Sequence, residues 1–426
     1  MSDSNIITKK LKNGLTVVTI DLPHFHSVTN LLVTRTGSRY ETDEQHGLAH
    51  FLEHLAFKGT ESFPTAKLVA ESIEGVGGYL NAWTSYECTA YWNVVPAAHY
   101  KLGVLLPYEM AFKPLLRPED IDQERGVIIE EIRRGQDSPS SLAGDISQML
   151  TYPKDPLGRT VIGTEDSVTD FAHQQFKQYH DKHYNPAQAY FVAVGAIGEI
   201  AGFHDYVYEL LESDIAKPSN AYQPFTGSSN RAIKLFTKDT QQAHFILSVS
   251  DPSFALTKKE RYVGVVLSSI LGDGMSSRLF MNVRERKGLA YSISSKLSIY
   301  EDTGDLWVHS GVNIEKIDLA LQAVEEELKI ISTDLVGNEE LTRVKNMIIG
   351  SFDISSDNPS DLASWYGTSR LLGMKEDREA AKKAFEAVTA EQIRTLAQRI
   401  FHKDRMTLAV VGPYDDQKQF EGFLQQ

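Results

Sequence analysis

The chain has 426 residues, with 57 acidic against 43 basic side chains and a net charge of −14. That length holds two or more domains with buried cores, and the acidic balance argues against nucleic acid or an anionic membrane surface as the main partner. Cys88 is the only cysteine, so neither an internal disulfide nor a thiolate metal cluster can form, which suits a reducing compartment.

The first fifteen residues are polar and lack both an apolar core and an Arg-rich amphipathic pattern. No run of about eighteen apolar residues occurs anywhere. A signal peptide, a targeting presequence and a membrane span are therefore not expected, and the expected location is cytoplasmic. Residues 6–21 read as a hairpin turning at Asn13-Gly14, and 28–36 as a further strand closed by Gly37. An amphipathic helix follows over 46–58, with Leu48, Phe51, Leu52, Leu55 and Ala56 at helical spacing and Gly59 as its C-cap. A short helix over 66–74 stops at Gly75.

Residues 77–85 and 88–95 form a strand pair in which aromatic and β-branched residues alternate with polar ones. The pair is either an ordinary half-buried hairpin or an exposed edge that takes up an extended peptide as an added strand. Helices are expected at 99–112, 118–134, 142–150 and 170–184, then a strand at 189–195. Pro118 opens its helix with Glu119 and Asp120 in the first turn, where they suit the dipole.

Residues 215–230 are rich in Pro, Ser, Gly and Asn and read as a linker. The expected domains are 1–215, the linker 216–230, and 231–426. After the linker the plan repeats: strands near 232–237 and 243–249, a helix over 258–271, strands at 291–300 and 305–312, four helices, and a strand at 406–411. Both halves close on an apolar strand ending in Val-Gly, Val194-Gly195 and Val411-Gly412, 217 positions apart. The shared order suggests a duplicated α+β domain, each copy a mainly antiparallel sheet packed with helices.

The chemistry is not duplicated. His50 and His54 stand four apart on one face of the 46–58 helix, with Glu53 beside His54. The order His-x-x-Glu-His inverts the commoner His-Glu-x-x-His. Two imidazoles and a carboxylate on one face suit a zinc ion that keeps one position open for water. The corresponding helix of the second half, near 267–271, holds no His or Glu. A catalytic zinc needs one more protein ligand, and it must come from another element. The 118–134 helix offers Glu124 and Glu131, seven apart and so two turns along one face, with Glu130 turned away by about a hundred degrees. The ordinary alternative is a charged, solvated face, although Val127, Ile128, Ile129 and Ile132 bury part of it. Of the remaining histidines, His180 and His183 lie three apart on a charged helix without a third ligand, and His46 reads as a capping or packing residue.

These stretches resemble a known family, the zinc metallopeptidases that include pitrilysin, insulin-degrading enzyme and mitochondrial processing peptidase. The family places a zinc-ligand Glu 77 positions after its second motif His, which falls on Glu131, and a further Glu seven earlier, which falls on Glu124. The stretch from His46 to His54 is similar to the processing-peptidase version, as are Leu80 to Ser85 and Glu124 to Ile128. In the second half, the stretches from Leu271 to Phe280 and from Arg284 to Tyr291 resemble the family's other signature. The glycine-rich loop of the processing peptidase's non-catalytic subunit is not evident.

The resemblance implies a zinc-dependent endopeptidase or oligopeptidase on a duplicated half-clamshell fold. His50, His54 and Glu131 would bind one Zn²⁺ per chain. Glu53 would be the general base, taking a proton from water and delivering it to the leaving amine. Glu124 would orient one of the two motif histidines through a ring N–H. Tyr291 would donate to the oxyanion and Arg284 would contact substrate backbone, while Asn81 and Ala82 would bind substrate main chain. The largest members are about twice this length, which implies a chamber formed by a dimer, either a homodimer or a heterodimer with a related subunit, acting on peptides and short unfolded chains. A non-catalytic structural or regulatory subunit of such a complex is the alternative; that class loses the zinc ligands, and this chain keeps them.

Overall fold

The computed structural model describes residues 5–214, 220–225 and 227–424. In chain order the first half forms β1 (Ile6–Lys10), β2 (Thr16–Asp21), β3 (Ser27–Thr34), α1 (Leu48–Ala56), α2 (Ala66–Glu74), β4 (Tyr79–Thr84) and β5 (Thr89–Pro96). It continues with α3 (Tyr100–Phe112), α4 (Pro118–Asp137), α5 (Pro139–Thr151), α6 (Glu165–Asp170), α7 (His173–His183), β6 (Ala189–Gly195) and α8 (Phe203–Leu211). The second half forms β7 (Ala232–Thr237), β8 (Ala243–Ser250), α9 (Glu260–Gly272), β9 (Ala290–Ile299) and β10 (Gly304–Val312). It ends with α10 (Ile317–Thr333), α11 (Asn338–Ile354), α12 (Pro359–Leu371), α13 (Arg378–Glu386), α14 (Ala390–Ile400), β11 (Thr407–Gly412) and α15 (Lys418–Glu421).

Two compact units result, and neither is continuous in sequence. The first comprises the described residues of Met1–Ile132, Thr160–Gln223 and Ile354–Met374; the second those of Arg133–Arg159, Pro224–Asp353 and Lys375–Gln426. The main passage between them falls within the stretch expected as a linker, of which residues 215–219 and 226 lie outside the described residues. Each unit also takes in a helix from the far side of that passage.

The first unit holds a six-stranded sheet in the order β1-β2-β6-β3-β5-β4, in which β2 and β6 run parallel and every other neighbouring pair antiparallel. Both faces are covered, which is why its central strands read as near-continuous apolar runs. Val17, Leu32, Tyr91, Val95 and Phe191 face the core that includes Phe51 and Leu52 of α1. Val18, Ile20, Leu31, Val33, Val192 and Val194 point the other way, onto Leu362, Ala363, Tyr366 and Leu371 of α12. β1 and β4 are the two edge strands.

The second unit repeats the plan with a five-stranded sheet, β7-β11-β8-β10-β9, again with one parallel pair, β7 and β11. Without β1, the two strand orders match position for position, so the duplicated α+β reading holds. One face packs Phe245, Leu247, Leu306, Val308 and Leu408 against residues that include Val266 and Leu267 of α9. The opposite face packs Ile246, Ala409 and Val411 against Ala143 and Ile146 of α5.

Four details differ from the sequence expectation. The helix expected at 170–184 starts only at His173, because Phe171 is extended and buries its ring, and a separate short helix, α6, precedes it. Five helices rather than four follow β10 before the last strand, because Asn358 caps a separate helix beginning at Pro359. The short helices α6, α8 and α15 have no counterpart in the sequence expectation. α1 ends at Ala56 with Phe57 as its cap, two residues short of Gly59. No helix among the described residues is long and apolar enough to cross a membrane.

Candidate metal centre

α1 starts without a capping side chain of its own. Gly47 occupies the N-cap with φ +102°, and a Cβ there would come within 2.8 Å of the Ile162 carbonyl oxygen, so glycine is required. The cap comes from Glu41, 4% exposed, whose two oxygens accept the N–H groups of Gly47 at 2.9 Å and Ala49 at 2.7 Å. A buried carboxylate at this end satisfies orphan donors and suits the helix dipole. His46 bonds the Thr160 carbonyl at 2.8 Å through Nε2, as expected of a packing residue.

The apolar stripe of Leu48, Phe51, Leu52 and Leu55 is buried in the core, which leaves His50, Glu53 and His54 together on the remaining face. The two imidazoles lie 4.6 Å apart, centroid to centroid. On α4, the buried Ile121, Ile128 and Ile132 set the rotation. Glu131 Oε2 then approaches His54 Nε2 at 3.6 Å and His50 Nε2 at 3.9 Å. The three ligand atoms lie within 4.8 Å of one another, and among the described residues no other group of three His, Cys, Asp or Glu side chains does so. Glu130 is exposed and is not one of the three.

Glu124 serves His54. Its Oε1 accepts the Nδ1–H at 2.9 Å, which leaves the His54 Nε2 lone pair on the Glu131 side. Lys58 pairs with the other Glu124 oxygen. Burial alone would raise the Glu124 carboxyl, but the hydrogen bonds from His54 and Lys58 and the Lys58 charge outweigh it and hold its pKa below the usual value. Burial, helped by the neighbouring His54, lowers His50 to about 3 and keeps that imidazole neutral. For His54 burial pulls downward, yet the Glu124 hydrogen bond and the charges of Glu53, Glu124 and Glu131 win, so its pKa is raised. Burial raises Glu53, against the opposing hydrogen bond from Thr84.

The donor set fits a catalytic zinc: two imidazole nitrogens and one carboxylate oxygen, with a fourth position to spare. Glu131 keeps 40% of its side chain exposed, so the cluster opens to solvent. Asn81 and Ala82 lie on the edge strand β4. The Ala82 N–H is bound by Asn81 Oδ1 at 2.8 Å on the exposed side, so it does not pair inward. Arg284 and Tyr291 belong to the second unit. Arg284 sits in a π-helical turn, Phe280–Arg286, with its guanidinium over the Phe280 ring at 4.6 Å. Tyr291, at the start of β9, is 57% exposed.

Three side chains of the cluster were not singled out from sequence: Glu41, Lys58 and Thr84. Lys58 stands four after His54, one turn further along the same face, and that spacing was a usable signal. Thr84 shares a strand face with Leu80 and Ala82, which alternation could have shown. Glu41, six before Gly47, carried no local signal.

Fold and site together define a class: a duplicated α+β protein with an inverted zinc-peptidase motif on its first unit. The family description "Insulinase (Peptidase family M16)" matches residues 16–165 and "Peptidase M16 inactive domain" matches 170–348. An uncharacterized zinc protease of Rickettsia felis is 30% identical, over 96% of this chain and 98% of that one. Another, from Bacillus subtilis, is 32% identical over 94% and 97%. The chain belongs to peptidase family M16, the insulinase family. A protease from Helicobacter pylori of known structure shares the fold with a TM-score of 0.89 at 22% identity, covering 96% of this chain and 99% of that one. A peptidase M16 inactive domain from Pseudomonas fluorescens does so at 0.85 and 18%, covering 97% and 99%.

Proposed function

We propose that the chain is a zinc-dependent endopeptidase acting on peptides and short unfolded chains. One observation carries the reading: the ligand atoms of His50, His54 and Glu131 converge within 4.8 Å, with Glu53 on the same helix face. A zinc ion held there supplies Lewis acidity, polarising a carbonyl and bringing the pKa of water toward about 7. Glu53 is bonded to Thr84 through Oε2, and its other oxygen accepts the proton of attacking water and returns it to the departing amine. Glu124, kept ionised by Lys58, holds His54 in the tautomer that presents Nε2.

An extended substrate pairs with β4, its carbonyl replacing Asn81 Oδ1 on the Ala82 N–H. Such recognition reads backbone more than side chain, so sequence selectivity is loose. Arg284 and Tyr291 are exposed, as contacts to substrate need to be. The single, buried cysteine suits a reducing, cytoplasmic setting.

Glu53→Gln is expected to retain zinc and lose turnover by a factor of about 10² to 10⁴, the span ascribed to a positioned general base. Near-normal turnover in the purified variant would refute the role.

The active form proposed is a dimer, of two copies or with a related subunit, enclosing a chamber. It rests on the family resemblance and on the presence of both signatures in one chain. Mixing a Glu53→Gln chain with a Tyr291→Phe chain should restore part of the activity. No recovery, with chain exchange confirmed by mass, would rule out sites shared between subunits.

A further inference from the structure

Resting on the peptidase reading, we propose that Thr84 is a positioning residue that fixes the base Glu53 from the substrate-facing strand. Its Oγ1 donates to Glu53 Oε2 at 2.8 Å, the one hydrogen bond that the Glu53 carboxylate makes among the described residues. The Thr84 oxygen in turn lies 3.4 Å from the Thr89 hydroxyl, which is the donor of that pair. Thr89 is fully buried and donates to the Thr36 carbonyl at 2.6 Å, so it forms a fixed wall behind Thr84.

The strand end is clamped as well. Ser85 N–H donates to the Cys88 carbonyl at 2.9 Å, while the Ser85 and Tyr86 carbonyls accept the Ser38 and Arg39 N–H groups at 3.2 and 2.8 Å. Thr84 is therefore tied to the framework and cannot follow a rotating glutamate. Two residues earlier on the same strand is the outward Ala82 N–H.

Two consequences follow. The glutamate has two freely staggered torsions before its carboxylate, and the Thr84 hydroxyl selects the orientation that reserves Oε1 for the travelling proton. Thr84 and the substrate ledge also share one strand, β4, so a peptide seated there is in register with the hydroxyl that orients the base.

The test compares Thr84→Val, Thr84→Ser and Glu53→Gln in the full-length, zinc-loaded protein on one fluorogenic peptide. A hydrogen bond to a charged group commonly contributes a factor of about ten to a hundred. Thr84→Val should lower kcat by about tenfold or more, with KM and the zinc dissociation constant each within about twofold of the parent. Thr84→Ser, which keeps the hydroxyl, should recover most of kcat. Thr84→Ala carries the same expectation as valine if the larger side chain disturbs the turn.

An unchanged kcat in both hydroxyl-free variants would overturn the proposal. So would a loss lying wholly in KM or in zinc affinity, or a serine variant as slow as valine. No cleavage by the zinc-loaded parent would overturn the peptidase reading, whereas normal turnover of Glu53→Gln would overturn Glu53 as the base and this role of Thr84 with it. An inactive Glu53→Gln beside a fully active Thr84→Val would overturn only the role of Thr84.

Discussion

His54 is gripped at Nδ1, and the grip passes through charge. Nδ1–H reaches Glu124, and Glu124 reaches Lys58, so a nearly buried carboxylate has two partners that favour its ionised form. His50 has no such support: its Nδ1 is buried with no hydrogen-bond partner among the described residues. Zinc affinity should therefore depend strongly on the Glu124 arm. Glu124→Gln keeps an acceptor for the ring N–H but removes the charge, and should weaken zinc binding by about 10- to 100-fold in chelator competition. Affinity within twofold of the parent would refute that dependence. The two motif histidines and the pair Glu124 and Glu131 were legible in sequence, because a helix fixes which residues share a face; the choice of Glu131 came from the family resemblance, and its carboxylate is the one that approaches both imidazoles. Which histidine Glu124 serves was not legible, since both motif histidines share that face and spacing does not set side-chain torsions. Lys58 completes the arm from one turn beyond the motif.

The placement of α1 depends on residues outside it. Its N-terminus has no Ser, Thr, Asp or Asn to cap it, and Glu41 reaches across a loop to do so. Removing that carboxylate leaves two backbone donors unsatisfied in a buried site. Glu41→Ala should cost about 1–2 kcal/mol in urea unfolding and should also weaken zinc binding, because His50 sits in the first turn of the helix. Unchanged stability would show that water replaces the cap. Elements with strong patterns, such as β6 and α2, were readable to the residue, since β-branched runs and a Gly stop leave little choice. The sequence expectation starts α7 three residues early because Phe171 satisfies the apolar period while its backbone is extended to bury the ring, and it misses the short α6. The π-helical turn at Phe280–Arg286 left no trace in the pattern either, because a one-residue change in hydrogen-bond register barely alters side-chain spacing.

Duplication is written into the whole chain more plainly in topology than in sequence. Two strand orders agree, with the parallel pair in the same place, whereas the residues offered only matching Val-Gly strand ends and a shared order of elements. Sequence periodicity gives α5 an apolar side but not the sheet that side covers, and α12 has almost no helical periodicity to read. α12 covers strands β3 and β6, from which it is separated by well over a hundred residues, and α5 covers β8 and β11.

This exchange has a consequence for synthesis. A ribosome releases β6 long before it reaches Leu371, so one face of the first sheet, with Ile20, Leu31, Val33 and Val194, waits uncovered while more than 150 further residues are made. Exposed apolar strands of that kind invite aggregation. Cutting the gene at the midpoint would make the wait permanent, since the N-terminal product would never receive the helix that finishes it.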